Sequence, residues 1–178
     1  LLIKLGDDQF VPLGCEADLQ AIINFPKEEI DTLIWTPTSP CAFPCLDTTI
    51  TPLNQTRYTV KVIDINGCVA FDTITYWVKK DRHVYIPNAF TPNGDGINDF
   101  FVVYGGKDVQ EVKTFRVFDR WGELLLEHKN FPPNMTDYGW DGKLDSKRMN
   151  ENVFVFYVEV LFLDGWVERY AGEVVLHR

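Results

Sequence analysis

One short segment of the chain combines residue types that could bind a cation. Within TPNGDGINDFF, residues 91–101, four amide or carboxylate side chains fall close together: Asn93, Asp95, Asn98 and Asp99. Calcium takes six to eight hard oxygen ligands, and these side chains could supply several, with loop carbonyl groups completing the shell. The EF-hand pattern is not met, because Tyr104 stands where a bidentate Glu is required. The segment is therefore a candidate calcium site of another type.

A tight turn without metal explains the same residues. Asn93-Gly94 and Asp95-Gly96 are consecutive turn dipeptides, since glycine accepts positive φ while Asn and Asp side chains bond nearby backbone N–H groups. Both interpretations stay open from the sequence. If calcium binds, Asp95 and Asp99 are the ligands to mutate, and Asp141 is a further candidate ligand. No cofactor is required by any other motif.

No catalytic constellation is visible in the sequence. The three histidines, His83, His128 and His177, lie in different segments, and no serine or cysteine sits in a nucleophile elbow. No glycine-rich phosphate loop leads from a strand into a helix. We therefore expect that the chain is not an enzyme. With 17 Lys and Arg against 26 Asp and Glu, the formal charge of −9 also argues against nucleic acid as a partner.

All four cysteines lie in the first half of the chain: Cys15, Cys41, Cys45 and Cys68. A zinc site is disfavoured, because two of the four stand alone and no histidine is near them. We predict disulfides that join Cys41 to Cys45 and Cys15 to Cys68, although four cysteines allow three connectivities. Disulfides imply an oxidising, exported setting.

The elements that must position these residues are strands. Residues 56–64 and 72–78 alternate polar and apolar side chains, and an Asn-Gly turn at Asn66-Gly67 lies between them. Further strands are predicted along both halves of the chain: 15–23, 32–35, 48–51, 100–104, 114–118, 123–128, 153–163 and 166–176. Frequent prolines make long helices improbable. The sequence therefore predicts an all-β protein.

A charged run, Lys79 to His83, separates the strands into two groups. We place one unit at residues 1–82 and a second at residues 83–178, giving two antiparallel β-sandwich domains in tandem, the first Ig-like. No apolar run reaches the length of a membrane span. The first residue is Leu rather than Met, so we expect a piece of a longer precursor.

Five sequence blocks carry a family resemblance. They are IPNAFTPNGDGINDFF (86–101), FRVFDRWGELLLE (115–127), GWDGK (139–143), VFVFYV (153–158) and AGEVVLHR (171–178). In this order and spacing they resemble the gliding-motility-associated C-terminal domain, the type B sorting domain of cargo of the type IX secretion system. The match covers residues 84–178. Two departures, Asn152 in place of the usual Gly and Phe154 in place of a common Tyr, could alter partner choice.

The first unit is similar to the cysteine-containing PKD/Ig-like repeats of large surface adhesins, in the stretches SPCAFPC (39–45) and RYTVKVIDINGC (57–68). Together the two resemblances imply an exported protein of the cell surface or the medium, with a role in gliding or adhesion. They imply that the second unit is recognised by the type IX translocon and is held at the surface by a partner outer-membrane barrel.

The family motifs supply the candidates for recognition: Pro92, Gly94, Gly96, Arg120, Trp121, Gly122, Trp140, Asp141, Gly142 and Arg178. Trp121 and Trp140 have two interpretations each, as core aromatics or as members of a recognition face. An alternative function for the whole chain is a calcium-dependent adhesive module that binds a carbohydrate or a protein.

Overall fold

The computed structural model describes all residues from 1 to 178, and it divides into two compact units, Leu1–Asp81 and Arg82–Arg178. Both units are built from strands, with two three-residue 3-10 turns at Lys27–Glu29 and Thr136–Tyr138. The second unit thus begins one residue earlier than the charged run predicted. None of the helical segments is long and apolar enough to cross a membrane.

Unit 1 contains eight strands: β1 (Ile3–Lys4), β2 (Gln9–Pro12), β3 (Ala17–Gln20), β4 (Ile22–Ile23), β5 (Ile30–Thr36), β6 (Asp47–Ile50), β7 (Thr56–Asp64) and β8 (Val69–Lys79). Four of them form a sheet in the order β2-β8-β7-β5, while β3 pairs with β6 and β1 with β4. The pairs are antiparallel except for β2 and β8, which run in parallel.

The core of unit 1 buries aromatic residues whose polar atoms are satisfied. The Trp35 indole N–H donates to the Cys45 carbonyl at 2.9 Å, and the Tyr76 hydroxyl donates to the Asp18 carbonyl at 2.7 Å. Each bond joins a strand of the four-stranded sheet to a segment outside it. Burial of the rings and satisfaction of their polar ends together hold the layers of the unit in contact.

The structure contains one of the two predicted disulfides. Cys41 and Cys45 are bonded, with their Cα atoms 5.3 Å apart. Cys15 and Cys68 are free thiols, so the predicted pairing of these two residues is wrong.

Strand direction explains the free thiols. Pro12 lies opposite Lys79 at the last residue of β8, whereas Cys68 precedes its first residue, and Cys15 is held beside Pro12 by a backbone hydrogen bond of 3.0 Å. The length of β8 puts the two cysteines roughly 30 Å apart at about 3.3 Å per residue. A disulfide requires Cα atoms within about 7 Å.

Unit 2 contains nine strands: β9 (Val84–Tyr85), β10 (Ala89–Phe90), β11 (Tyr104–Gly105), β12 (Val109–Phe118), β13 (Leu124–Phe131), β14 (Lys143–Leu144), β15 (Lys147–Arg148), β16 (Asn152–Phe162) and β17 (Val167–Leu176). Its main sheet has the order β10-β17-β16-β12-β13. Residues 100–104, predicted as a strand, form only an isolated bridge at Phe101 and the first residue of β11. All pairs are antiparallel except β10 with β17.

Phenylalanine dominates the core of unit 2. Phe101 lies beneath the sheet with its ring centroid 5.5 Å from that of Phe115 and 5.4 Å from that of Phe156. The nearly continuous apolar run at residues 153–161 predicts a strand buried on both faces, but the structure buries only alternate residues of β16. Val153 and Val155 instead lie exposed on the other face.

Candidate recognition site

Strand direction brings the family motifs to one end of the main sheet of unit 2. Strands β10, β12 and β17 run in one direction and β16 runs in the other. Consequently the segment after β10, the turn after β12, the segment before β16 and the residues after β17 leave the sheet at the same end. We call this the loop end; it comprises residues 91–99, 119–123, 141–151 and 177–178.

The 91–99 loop is closed by its own side chains. The two carboxylate oxygens of Asp99 accept the backbone N–H groups of Gly94 at 2.6 Å and Gly96 at 2.8 Å. Asp95 accepts the Ile97 N–H at 2.8 Å, and the Asn93 side-chain oxygen accepts the Asp95 N–H at 2.9 Å. Gly94 and Gly96 both take φ of +85°, which explains the requirement for glycine at these positions.

The carboxylates of this loop are thus already engaged by loop donors. The Asn93 side-chain amide, and after it the Ile97 N–H, hold the pKa of the Asp95 carboxyl below its usual value. Nowhere along the 178 residues do three or more His, Cys, Asp or Glu side chains gather as a metal site would require. A calcium ion would have to compete with these N–H groups for carboxylate lone pairs, and calcium binding stays a prediction.

The second motif at the loop end, residues 140–142, joins core to surface. Trp140 is 1% exposed, packs on Phe90 and Phe154, and donates its indole N–H to the Lys143 carbonyl at 2.9 Å. The structure therefore places Trp140 in the core, and a role for Trp140 in recognition stays a prediction. Asp141 lies beside the 91–99 loop, but its carboxylate accepts from the Lys143 side chain at 2.5 Å.

Gly142 holds the 91–99 loop against the sheet. Its φ is +74°, and a Cβ atom built there would lie 2.7 Å from a Leu176 methyl carbon and 3.1 Å from the Pro92 ring. The contact with Leu176 is closer than real Cβ atoms make and the contact with Pro92 is tighter than most, and a non-glycine residue at this φ is strained, so glycine is favoured where the three segments meet. Pro92 and Gly142, both named from motifs, therefore act by positioning the loop.

The turn after β12 presents an aromatic ring to solvent. Asp119 organises the turn, because one of its carboxylate oxygens accepts the N–H groups of Trp121 and Glu123, both at 2.8 Å. Gly122 takes φ of +86°. Trp121 is 79% exposed, and the Arg120 guanidinium lies 4.6 Å from the centre of its ring. The core interpretation of Trp121 is therefore wrong, and the Arg120–Trp121 pair is available to a partner.

A hairpin that the sequence reasoning missed adds two cations to the loop end. Strands β14 and β15 place Lys143 directly opposite Arg148, and Asp145 and Ser146 form the turn between them. Both turn residues adopt positive φ, of 47° and 68°, although neither is glycine. The sequence signal was therefore weak, since hairpin turns of this kind are normally marked by Gly or Asn.

The opposite end of the main sheet, where the chain enters unit 2 at Arg82, differs in character. Here the Arg82 guanidinium makes two hydrogen bonds of 3.0 Å to Asp164, in the turn between β16 and β17, and lies 4.5 Å from the Phe162 ring centre. The Asp108 carboxylate is buried and accepts the His83 backbone N–H at 2.9 Å. We call this the entry end.

Comparison with known proteins agrees with the motif resemblance. Residues 84–174 match the family model described as CHU_C Type IX secretion signal domain, which covers half of the chain and includes the loop end except for residues 177–178. No curated protein sequence is similar to this chain at a significant level.

Several solved structures share strand-rich architecture with the chain. The fibronectin(III)-like modules of Clostridium thermocellum CbhA are 13% identical, with a TM-score of 0.32, over 98% of this chain and 93% of that one. SGBP-B from the mixed-linkage glucan utilization locus of Bacteroides ovatus, solved in complex with a mixed-linkage heptasaccharide, is 10% identical with a TM-score of 0.35, over 97% of this chain and 43% of that one.

Dimeric latent PorU from Porphyromonas gingivalis is 11% identical with a TM-score of 0.35, over 95% of this chain and 19% of that one. This chain therefore spans less than half of the length of SGBP-B and about a fifth of the length of PorU. TM-scores at this level are too low to assign the chain a substrate or a partner.

Proposed function

Because this chain belongs to the CHU_C type IX secretion signal family, and is therefore exported by that system, we propose that unit 2 is recognised through its loop end by the translocon and by a partner outer-membrane barrel. In this proposal the unit acts by binding and performs no catalysis. The barrel then keeps the exported protein at the cell surface. The parent protein serves adhesion or gliding.

The single observation that supports this proposal most strongly is the exposed Arg120–Trp121 pair. Trp and Arg are among the residues most enriched at binding hot spots, and a Trp ring with 79% exposure contributes little to the stability of the folded unit. Its turn is nevertheless fixed by Asp119, so that the ring is presented by a rigid element. A preorganised anchor loses less entropy on binding than a mobile one.

Deletion tests the proposal at the level of the unit. A reporter that carries a Sec signal peptide and the full chain is expressed in a type IX-secreting bacterium, beside the same reporter without residues 82–178. We expect export across the outer membrane only from the first. Equal export of both reporters would contradict the sorting role.

The partner barrel is tested by affinity purification. The full chain is used as bait in detergent extracts of the same bacterium, and a Trp121→Ala chain serves as the matched control. Recovery of an outer-membrane barrel by the unmodified bait, with loss of at least about tenfold for the variant, is the expected result. Equal recovery by both baits would show that Trp121 is not needed to bind the barrel.

A second candidate function, carbohydrate binding, is favoured by one feature of unit 1. Phe10 and Trp77 lie side by side in the parallel pair of β2 and β8, with ring centroids 6.3 Å apart and an angle of 27° between the planes. Both rings are exposed, as is Phe71 on the same strand as Trp77. Nearly parallel exposed rings on a sheet offer an apolar platform to the faces of sugar rings.

A glycan array probed with the full chain tests this second function. We expect binding to a defined set of glycans that is lost in the Trp77→Ala variant and kept in a Trp121→Ala variant. Absence of any bound glycan would contradict carbohydrate binding without touching the sorting role.

Calcium dependence of the 91–99 loop is a separate part of the proposal. Calorimetric titration of calcium into the full chain and into an Asp99→Asn variant measures it directly. Calcium binding that is lost in the variant would make the loop a cation site, and the barrel pull-down would then be repeated in chelator. Absence of binding would leave the loop as a closed turn.

A further inference from the structure

The loop end contains a polar pocket between the 91–99 loop and the β14–β15 hairpin. Its volume is about 220 Å³, and it is open to solvent on one side. It is lined by Pro92, Asn93, Gly94 and Phe100 and by five charged residues: Asp99, Asp141, Lys143, Arg148 and Arg178. Three of the five family motif blocks thus contribute to a single concave surface. We call it the loop-end pocket.

Some charged groups in the loop-end pocket have partners within the chain, and others have none. Both oxygens of Asp99 accept backbone N–H groups, and Asp141 is bound by Lys143. In contrast, the guanidinium groups of Arg148 and Arg178 form no hydrogen bond or ion pair with any other residue of the chain. The pocket therefore offers free cationic donors beside anions that are already occupied.

The hairpin places the unpaired Arg148 beside a lysine that already has a partner. Lys143 and Arg148 are direct cross-strand partners, so their side chains project from the same face of the hairpin. The Asp141 carboxylate neutralises the Lys143 ammonium group. An added anion would therefore be attracted chiefly to the guanidinium groups of Arg148 and Arg178. In a chain with a formal charge of −9, such a concentration of unpaired cations is selective for acidic ligands that the rest of the surface repels.

The geometry of the donors indicates the chemical class of the anion. A guanidinium group offers a planar fork that matches a carboxylate with two parallel hydrogen bonds. The fixed charges of Asp99 and Asp141 disfavour a dianion such as phosphate more strongly than a singly charged carboxylate. Pro92 and Phe100 add apolar surface, against which the methylene groups of a Glu side chain can pack.

We propose that the loop-end pocket binds a carboxylate side chain from an acidic segment of the secretion-system partner. This inference rests on the proposed sorting function, and it names the partner chemistry at one subsite. The Arg120–Trp121 pair then supplies an apolar anchor and the pocket supplies charge recognition, at the same end of the sheet.

A peptide titration tests the pocket without the partner. The acetylated and amidated hexapeptide of alternating Glu and Gly is added to the ¹⁵N-labelled full chain at low salt. We expect shifts in the amide resonances of Gly94, Lys143 and Arg148, with an affinity that falls as salt is added. Each of the substitutions Arg148→Gln and Arg178→Gln should weaken the peptide about three- to tenfold.

The Lys147→Gln chain is the matched control, because Lys147 lies on the same hairpin and does not line the pocket. Equal weakening by Lys147→Gln, or undiminished binding by the Arg148→Gln and Arg178→Gln double variant, would overturn the proposal. So would inorganic phosphate that binds the pocket more tightly than the peptide. Absence of any peptide-induced shift would also overturn it.

Export in cells separates failure of this inference from failure of the sorting function. The Sec-targeted reporter is compared in three forms, with the full chain, with Arg148→Glu and Arg178→Glu together, and without residues 82–178. We expect export to fall at least about tenfold in the double variant. Its unfolding midpoint should match that of the unmodified chain, because both replaced side chains are exposed. If the double variant is fully exported while the form without residues 82–178 is not, the pocket proposal is wrong and the sorting function still holds.

Discussion

The two ends of the main sheet in unit 2 use charged and aromatic side chains in opposite ways. At the entry end Arg82 is fully paired with Asp164 and lies over Phe162, and the Asp108 carboxylate is buried. At the loop end two arginines have no partner, and a tryptophan stands in solvent. Paired groups stabilise the fold, whereas unpaired groups on rigid turns are available for binding.

The distinction is sharpest for the two tryptophans that family motifs supply. Trp140 contacts the rings of Phe90 and Phe154 in the core. For Trp121, the only aromatic or cationic group in contact with the ring is the Arg120 guanidinium. Similar motif positions therefore have different roles. Burial decides which of them a partner can reach.

The largest predicted effect contrasts these tryptophans. Replacement of Trp140 by Ala removes a buried aromatic ring and should lower the free energy of unfolding of unit 2 by about 3–5 kcal/mol. Replacement of Trp121 by Ala should change it by less than about 0.5 kcal/mol. Denaturant unfolding followed by circular dichroism measures both. Comparable losses in the two variants would mean that Trp121 supports the fold, contrary to its exposure.

The second contrast concerns two arginines on unit 2. The Arg82→Ala substitution leaves the Asp164 carboxylate, which is 3% exposed, without its guanidinium partner, and should destabilise the unit by about 2–4 kcal/mol. Arg169→Ala is the matched control, because its bond to Glu159 is solvent-exposed and should contribute less than about 1 kcal/mol. If both substitutions lower the free energy of unfolding equally, the Arg82–Asp164 ion pair contributes no more to stability than the exposed Arg169–Glu159 pair.

The third contrast compares two glycines at positive φ in the loop end. Gly142→Ala should cost about 2–3 kcal/mol, since the new methyl group collides with Leu176 and Pro92 in addition to the backbone strain. Gly94→Ala should cost only about 1 kcal/mol, because its Cβ would meet nothing within 4 Å. Displaced amide resonances in residues 91–99 are expected for Gly142→Ala. An equal loss of stability in both variants would show that close packing around Gly142 is not what requires glycine there.

The smallest predicted effect is the titration of Asp95. Its hydrogen bonds from the Asn93 side chain and the Ile97 N–H lower its pKa below the ordinary 3.8, so they stabilise the loop above that pH. This stabilisation is lost as pH falls through the lowered value. Asn93→Ala should return the pKa of Asp95 toward 3.8, as followed by carboxyl NMR resonances. Asn150→Ala should leave it unchanged, and a shift of the same size there would contradict the role of Asn93.

The sequence was sufficient for much of this fold because the strongest signals are local. Alternation of polar and apolar residues predicted β7 and β8, and the strands predicted at residues 153–163 and 166–176 lie close to β16 and β17. Cys41 and Cys45 are near neighbours, and their disulfide was predicted. The closed turn at residues 91–99 was one of the two interpretations that the dipeptides Asn93-Gly94 and Asp95-Gly96 allowed.

What the sequence missed depends on contacts between distant segments. The predicted Cys15–Cys68 bond failed because the parallel pairing of β2 with β8 places these residues at opposite ends of β8. The hairpin at residues 143–148 was missed because its turn uses Asp145 and Ser146 at positive φ in place of glycine. The shared pocket of Arg148 and Arg178 depends on the assembled sheet, and no pattern along the chain brings those two residues together.

Export of two single variants tests most directly the claim that the loop end carries recognition. Trp121 at the loop end and Trp166 in the turn at the entry end are both exposed, at 79% and 58%, so replacement of either by Ala should leave the fold intact. The fraction of Sec-targeted reporter that reaches the outside of a type IX-secreting cell is measured for each. Reduced export for Trp121→Ala with normal export for Trp166→Ala is the predicted result. Normal export for Trp121→Ala, or a larger loss for Trp166→Ala, would contradict it.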